Sequence, residues 1–359
     1  MRDRRSTALA ATLFALLCLG FGLARAQRRP AVAAHLTVHE WGVWRLDPAG
    51  QRVTHLQDLA RESPGFMFRV DGATSAPLVH GAQPQPMPII PNPGHPVRPP
   101  HPRPQPQPQP VWINPQPGPG NVTARKPVIF LHADRPTDVR LEVRFVGGDP
   151  WLHYPAAQVL LDGGNPGLRF IGRAAPNGGT RLAPAPAGHF WQGLRDVGAS
   201  LFLAPDGTAE QFLFYDGPVA FQASFAAASD AAPLVHQQGA AETIAFRVIG
   251  NTYERWTFTP PGNGAGMTQP MTRTGTGDLV AFRRELERTA RAGGLSVAET
   301  RSLLETWRDE LFAAPGTPQA GSRLVYFITR ARYDAMLPLV VSPTPDAVVR
   351  VGLVIVPRA

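Results

Sequence analysis

The sequence predicts a mainly β protein, an antiparallel sandwich or barrel-like body with one α-helical hairpin packed on it. Three observations predict this. Short runs rich in β-branched and aromatic residues recur along most of the chain, and clusters of Gly, Asn, Asp and Pro separate them. Apolar residues at helical spacing are confined to one stretch after residue 275. With 43% hydrophobic and only 17% charged residues, the 359-residue chain has the material for a core and is not a wholly disordered polymer.

The elements follow in chain order. Residues 1–26 read as a secretory signal: Arg2, Arg4 and Arg5 precede an apolar stretch from Ala8 to Leu23, which ends at the small-residue pattern Ala24-Arg25-Ala26. The run is short for a membrane span and no second one follows, so stable membrane insertion after cleavage is not expected. Ser6-Thr7-Ala8 after the arginine pair is a poor match to a twin-arginine signal, and Leu17 before Cys18 argues against lipidation. Cys18 is the only cysteine, so the mature chain has no thiol for disulfides, metal binding or catalysis. The expected location is periplasmic or extracellular.

Residues 27–83 open the β body with Leu36 to Trp44, a β-branched and aromatic run. Residues 84–120 are a low-complexity tract of Pro, Gln and His, expected to be an extended polyproline-like loop because it lacks regular N–H donors and has nothing to bury. From 121 to 274 strand-like runs recur at Val128–His132, Val139–Val146, Gln158–Leu161, Leu168–Ile171, Ala199–Leu203, Gln211–Tyr215, Val219–Phe225, Thr243–Ile249 and Arg255–Thr259. Residues 275–314 carry the helices. Leu279, Phe282 and Leu286 share one face, Gly293-Gly294 ends that helix, and Ser296 with Glu299 forms a capping box for a second helix whose stripe is Leu303, Leu304, Trp307 and Leu311. Residues 315–359 return to the sheet with Arg323–Thr329, an extended Leu339–Val341 and Val348–Val356.

Charge narrows the partner classes. Of the net +8, three charges belong to the signal and two to the proline tract, and the remainder forms no Lys/Arg cluster interleaved with aromatics. Nucleic acid is therefore not an expected partner. The segment His39-Glu40-Trp41-Gly42, taken with several later blocks, resembles the opening of a family of uncharacterised exported bacterial proteins with an N-terminal His-Glu-Trp-Gly motif, with Val43 where family members often have Thr. Lys126 to Leu131, Arg135 to Val139, Phe212 to Gly217, Glu305 to Phe312 and Leu337 to Val351 continue the likeness. The resemblance implies a shared fold and no specified chemistry.

Two segments carry candidate site residues. In a strand, period 2 sends His39 and Trp41 to one face and Glu40 to the other, beside Leu36 and Val38. The pair is then not expected to meet on one ion, although a bulge at Gly42 would bend the strand. Glu40 continues an apolar face, so it calls for an arginine partner, since an unpaired buried charge costs about 3–5 kcal/mol. The second segment, Asp149-Pro150-Trp151-Leu152-His153-Tyr154-Pro155, gathers an acid, an imidazole, a phenol and two aromatic faces in what reads as a loop. It suits either an aromatic plug at the end of the sandwich or a sugar-stacking platform, with the plug favoured. His132, His189 and His236 are scattered without ligand spacing. Nucleophile and phosphate-loop motifs are absent, Gly262 to Gly266 reading as a linker, so no cofactor and no metal are assigned. The sequence favours a non-catalytic exported module for a cell-surface, glycan or protein partner. The alternative is a metal- or carboxylate-dependent hydrolase using His39, Glu40, Asp149 and His153.

Overall fold

The computed structural model describes residues 35–46, 66–77, 121–162, 164–177, 182, 184, 189–227, 231–237, 239–260, 269–312 and 322–357. The signal, the proline tract and the Gly262–Gly266 segment lie outside the described residues.

Strands come first: β1 (Leu36–Arg45), β2 (Phe68–Asp71), β3 (Thr74–Pro77), β4 (Asn121–Ala133), β5 (Thr137–Arg144), β6 (Leu152–Tyr154), β7 (Gln158–Leu160) and β8 (Gly167–Ala175). A short helix α1 (Trp191–Arg195) leads to β9 (Leu201–Leu203), β10 (Ala209–Glu210), β11 (Leu213–Ala220), β12 (Phe225–Ala226), β13 (Val235–His236), β14 (Ile244–Ile249), β15 (Thr252–Thr257), β16 (Gln269–Pro270) and β17 (Thr272–Asp278). Next come α2 (Leu279–Ala292), α3 (Val297–Thr306), α4 (Arg308–Phe312), β18 (Arg323–Ile328), α5 (Arg330–Met336), β19 (Leu339–Ser342) and β20 (Ala347–Pro357).

An 11-stranded sheet runs in the order β17-β15-β14-β18-β20-β1-β4-β11-β6-β2-β3, and every pairing in it is antiparallel except β1 with β20. A second sheet runs β10-β9-β8-β5-β19 with β7 also on β8, and a small third sheet joins β12, β13 and β16. The paths are open, so the body is a sandwich and not a closed barrel. Alternation along each strand divides the side chains of the large sheet between two cores. Leu36, Val38 and Trp44 of β1 pack with Val139, Leu141, Leu168 and Phe170 of the second sheet. Trp41 and Val43 face the other way, onto Phe282, Leu286, Leu303 and Leu304 of the helices. The large sheet is thus the middle layer, with helices on one face and strands on the other.

The helical hairpin holds because its apolar stripe is buried: Phe282, Leu286 and Ala290 of α2 lie one turn apart, and each large side chain contributes about 1.5–3 kcal/mol. Asp278 caps α2 by accepting from the Ala281 N–H at 2.7 Å, and Gly294 turns the chain with φ +103, a conformation that favours glycine. Ser296 and Glu299 form the expected capping box. Three expectations need correction. Helix is not confined to the hairpin, because α1 and α5 also form; they have five and seven residues, too few to display a period. The second helix does not run unbroken but divides at Trp307 into α3 and α4. The Asp149–Pro155 segment is not all loop, since Leu152–Tyr154 is a strand of the large sheet.

Candidate metal centre

Strand β1 sets the geometry. His39 lies opposite Phe130 of β4, and His132, two residues further along β4, lies opposite Thr37. The two histidines are therefore diagonal neighbours on the face that meets the helices, their rings 4.9 Å apart at 64°. From the helical layer, Glu299 in the first turn of α3 brings its carboxylate down between them. His39 Nδ1 is 3.0 Å from each Glu299 oxygen, and His132 Nε2 is 2.9 Å from Oε1. One potential ligand atom from each of the three residues lies within 4.8 Å of the others.

Glu299 is completely buried, while the side chains of His39 and His132 keep 18% and 33% of their exposure. Burial alone would raise the Glu299 pKa. Hydrogen bonds from His132, His39 and the Ser296 N–H reverse that and hold its carboxyl well below the usual carboxylate range. The Ser296 N–H donates to Oε2 at 2.7 Å, so the residue that caps the helix also presents a charged oxygen to the imidazoles. Two imidazoles and one carboxylate form a three-ligand donor set that suits zinc and related divalent transition metals, and it leaves a further coordination position. Bonds of about 2.0–2.1 Å in a tetrahedron place donors about 3.3 Å apart, so the 2.9–3.0 Å edges found here need open by only a few tenths of an ångström. Beside His132 a groove of about 430 Å³ opens, lined also by Thr37, Asp134, Asn177 and Ser200.

The residues singled out from sequence go to separate places. Glu40 takes the opposite face of β1 and meets Arg350, its direct neighbour on β20. Arg350 Nε donates to Glu40 Oε2 at 2.7 Å, and both side chains are fully buried. Tyr333 donates to Oε1 at 2.8 Å, and Tyr215 donates to the same oxygen. Burial first, and then the Glu40 charge, push both phenols well above their usual range. Arg350 also donates to Asp334 Oδ1 and the Leu337 carbonyl, each at 2.7 Å. The arginine that Glu40 called for is thus present, and both charged side chains are buried where they meet. A register irregularity does lie at Gly42, with the extra residue on β4 opposite the Trp41–Val43 step. Gly42 serves another end: a Cβ there would lie 2.7 Å from the Tyr333 hydroxyl, so glycine lets that phenol reach Glu40.

Trp41 is core, packed toward the helices. Trp151 and Tyr154 are buried in the same core, the latter against the rings of Phe66 and Trp191, so they offer no open face to a sugar. Burial pushes the Tyr154 phenol up to about 12 and raises the Asp149 carboxyl. His153 engages Ser75 and the Pro155 carbonyl. His39, Glu40, Asp149 and His153 do not converge. What sequence reasoning missed is His132 and Glu299. The first required the β1–β4 register, and the second was visible only as a helix cap. Comparison of the chain with family models, with curated proteins and with solved structures finds no match, so the reading of the centre rests on its own geometry.

Proposed function

We propose that the chain is an exported β-rich binding protein whose functional centre is a divalent transition-metal site made by His39, His132 and Glu299. One observation carries the reading: two imidazoles and a buried, ionised carboxylate from β1, β4 and α3 point at one another across the interface of sheet and helices. The basic, apolar and small-residue pattern of residues 1–26 supports export. The groove beside His132, with its hydroxyl, amide and carboxylate lining, is where a glycan or a protein partner meets the ion.

The test is calorimetric titration of the chelator-treated protein with zinc. One ion per chain should bind. Loss of an outer-shell partner alone usually costs 10–100-fold in affinity, so removing a ligand by His39→Ala or Glu299→Gln should weaken binding at least about 100-fold. Absence of stoichiometric binding, or variants that bind as the parent does, would overturn the reading.

A further inference from the structure

The hairpin β2–β3 lays Ser75 over a buried histidine of β6 that shares no partner with the metal centre. Phe68 of β2 pairs with His153 of β6 and stacks on its ring, with centroids 5.3 Å apart and planes 3° from parallel. Phe170 of β8 meets the same ring edge-on at 6.2 Å. The imidazole is fully buried, and both its nitrogens are engaged. Nδ1 lies 3.0 Å from the Pro155 carbonyl oxygen, and Nε2 lies 2.7 Å from Ser75 Oγ.

Proton positions follow from those two contacts. A carbonyl only accepts, so Nδ1 carries the hydrogen. Burial between aromatic rings keeps the ring neutral, pushing its pKa down to about 4 against the weaker opposing pull of the Pro155 carbonyl. Nε2 is then a bare lone pair, and the Ser75 hydroxyl donates to it. The 3.3 Å contact between Ser75 Oγ and the Ala157 carbonyl is the longer, poorer alternative for that one hydrogen. Ser75 is partly exposed on the hairpin and lies directly over Nε2 of the buried base, so that nitrogen is approached from the serine side. A nucleophile within hydrogen-bond reach of a base, with that base oriented by a third group, is the arrangement that activates serine.

We propose that Ser75 is a nucleophile with His153 as its general base and the Pro155 carbonyl as the group that orients the base, serving acyl transfer from carboxylic esters. Ser75 Oγ bonds to the acyl carbon as its hydrogen passes to His153 Nε2. The acyl–oxygen bond of the ester breaks, and the alcohol leaves with that proton. Water, deprotonated by the same nitrogen, then cleaves the acyl-serine, releasing the carboxylic acid and restoring the hydroxyl. No Gly-x-Ser-x-Gly motif accompanies the pair, because the serine is supplied by strand β3 of a hairpin and the base by a strand 78 residues away.

A fluorophosphonate probe tests this on the full chain. Ser75 Oγ bonds to phosphorus, the P–F bond breaks, fluoride leaves and the proton goes to His153. The expected result is a single adduct mapped by mass spectrometry to Ser75, absent from Ser75→Ala. Labelling should be slower by about 100-fold or more in His153→Asn, the span that positioned bases contribute. Near-UV circular dichroism checks that this variant is folded. If it is not, the parent and Ser75→Ala still decide, since Ser75 lies on a partly exposed hairpin. No adduct under conditions that fully label an ordinary serine hydrolase, or an adduct only at another serine, would overturn the assignment. So would equally fast labelling in a folded His153→Asn protein.

Discussion

His39 and Glu40 are adjacent in sequence yet serve opposite cores, and strand period alone was enough to say that they part. Which groups they meet was not legible. Arg350 is 310 residues from Glu40 and Glu299 is 260 from His39, and only sheet order and helix docking bring them together. His153 was legible as a chemistry-bearing residue, but its partner Ser75 was not, since an isolated serine has no signature. The Asp71-Gly72 turn that builds its hairpin was the available clue, Gly72 having φ +59. Burial of His153 carries a pH consequence with a definite sign. The unfolded chain takes up this proton near pH 6.5, whereas the folded chain resists until about pH 4. Between those values the unfolded state holds more protons, so stability rises with pH. The His153 share is intact above pH 6.5 and is lost as pH falls toward 4, about 3 kcal/mol in all. Urea denaturation at pH 7 and pH 4.5 should show most of that loss, and the difference should shrink in His153→Phe. A pH dependence identical in the two proteins would contradict this assignment.

At the scale of elements, what sequence revealed was whatever has a period or a cap long enough to display it. Strand β5 alternates buried residues with more exposed ones along its whole length, and α2 repeats its apolar face over 14 residues. Strand β17 does neither. It is an exposed Thr- and Gly-rich edge of the large sheet, so no apolar alternation marks it. Helix α5 buries only Tyr333 and Met336, one turn apart, and its Thr329 cap was its sole signal. The start of α3 joins fold to site, because Glu299 both accepts from the Ser296 N–H and faces the two histidines. Ser296→Ala removes the hydroxyl that accepts from the Glu299 N–H at 3.1 Å. Loss of such a cap should lower unfolding free energy by about 1 kcal/mol in thermal or urea melts. Zinc affinity should fall several-fold and not be abolished, as the ligands themselves remain. An unchanged melt would mean that the cap contributes nothing to holding α3 on the sheet.

Across the body formed by residues 35–357, the first and last strands lie side by side at the centre of the large sheet, β1 parallel to β20. Fold class was readable because sandwich strands and a helical hairpin have different periods. The central parallel pair was not, since nothing local in Leu36–Arg45 names its partner. This arrangement gives the metal centre a mechanical role, for its ligands belong to two neighbouring central strands and to the helix that covers them. An ion that binds only when all three are assembled stabilises the folded state by mass action, about 2.7 kcal/mol at a free concentration 100 times its Kd. With an unfolding entropy of about 2.1 cal/mol/K per residue, a body of roughly 300 residues converts that into a rise of about 4 °C in Tm. Zinc should produce the rise, excess chelator should reverse it, and His39→Ala should lose it. Calcium, which prefers a larger set of oxygen ligands, should leave Tm unchanged. Equal stabilisation by calcium, or a zinc effect that survives in His39→Ala, would place the ion elsewhere on the molecule and remove the link between the centre and the docking of the helices.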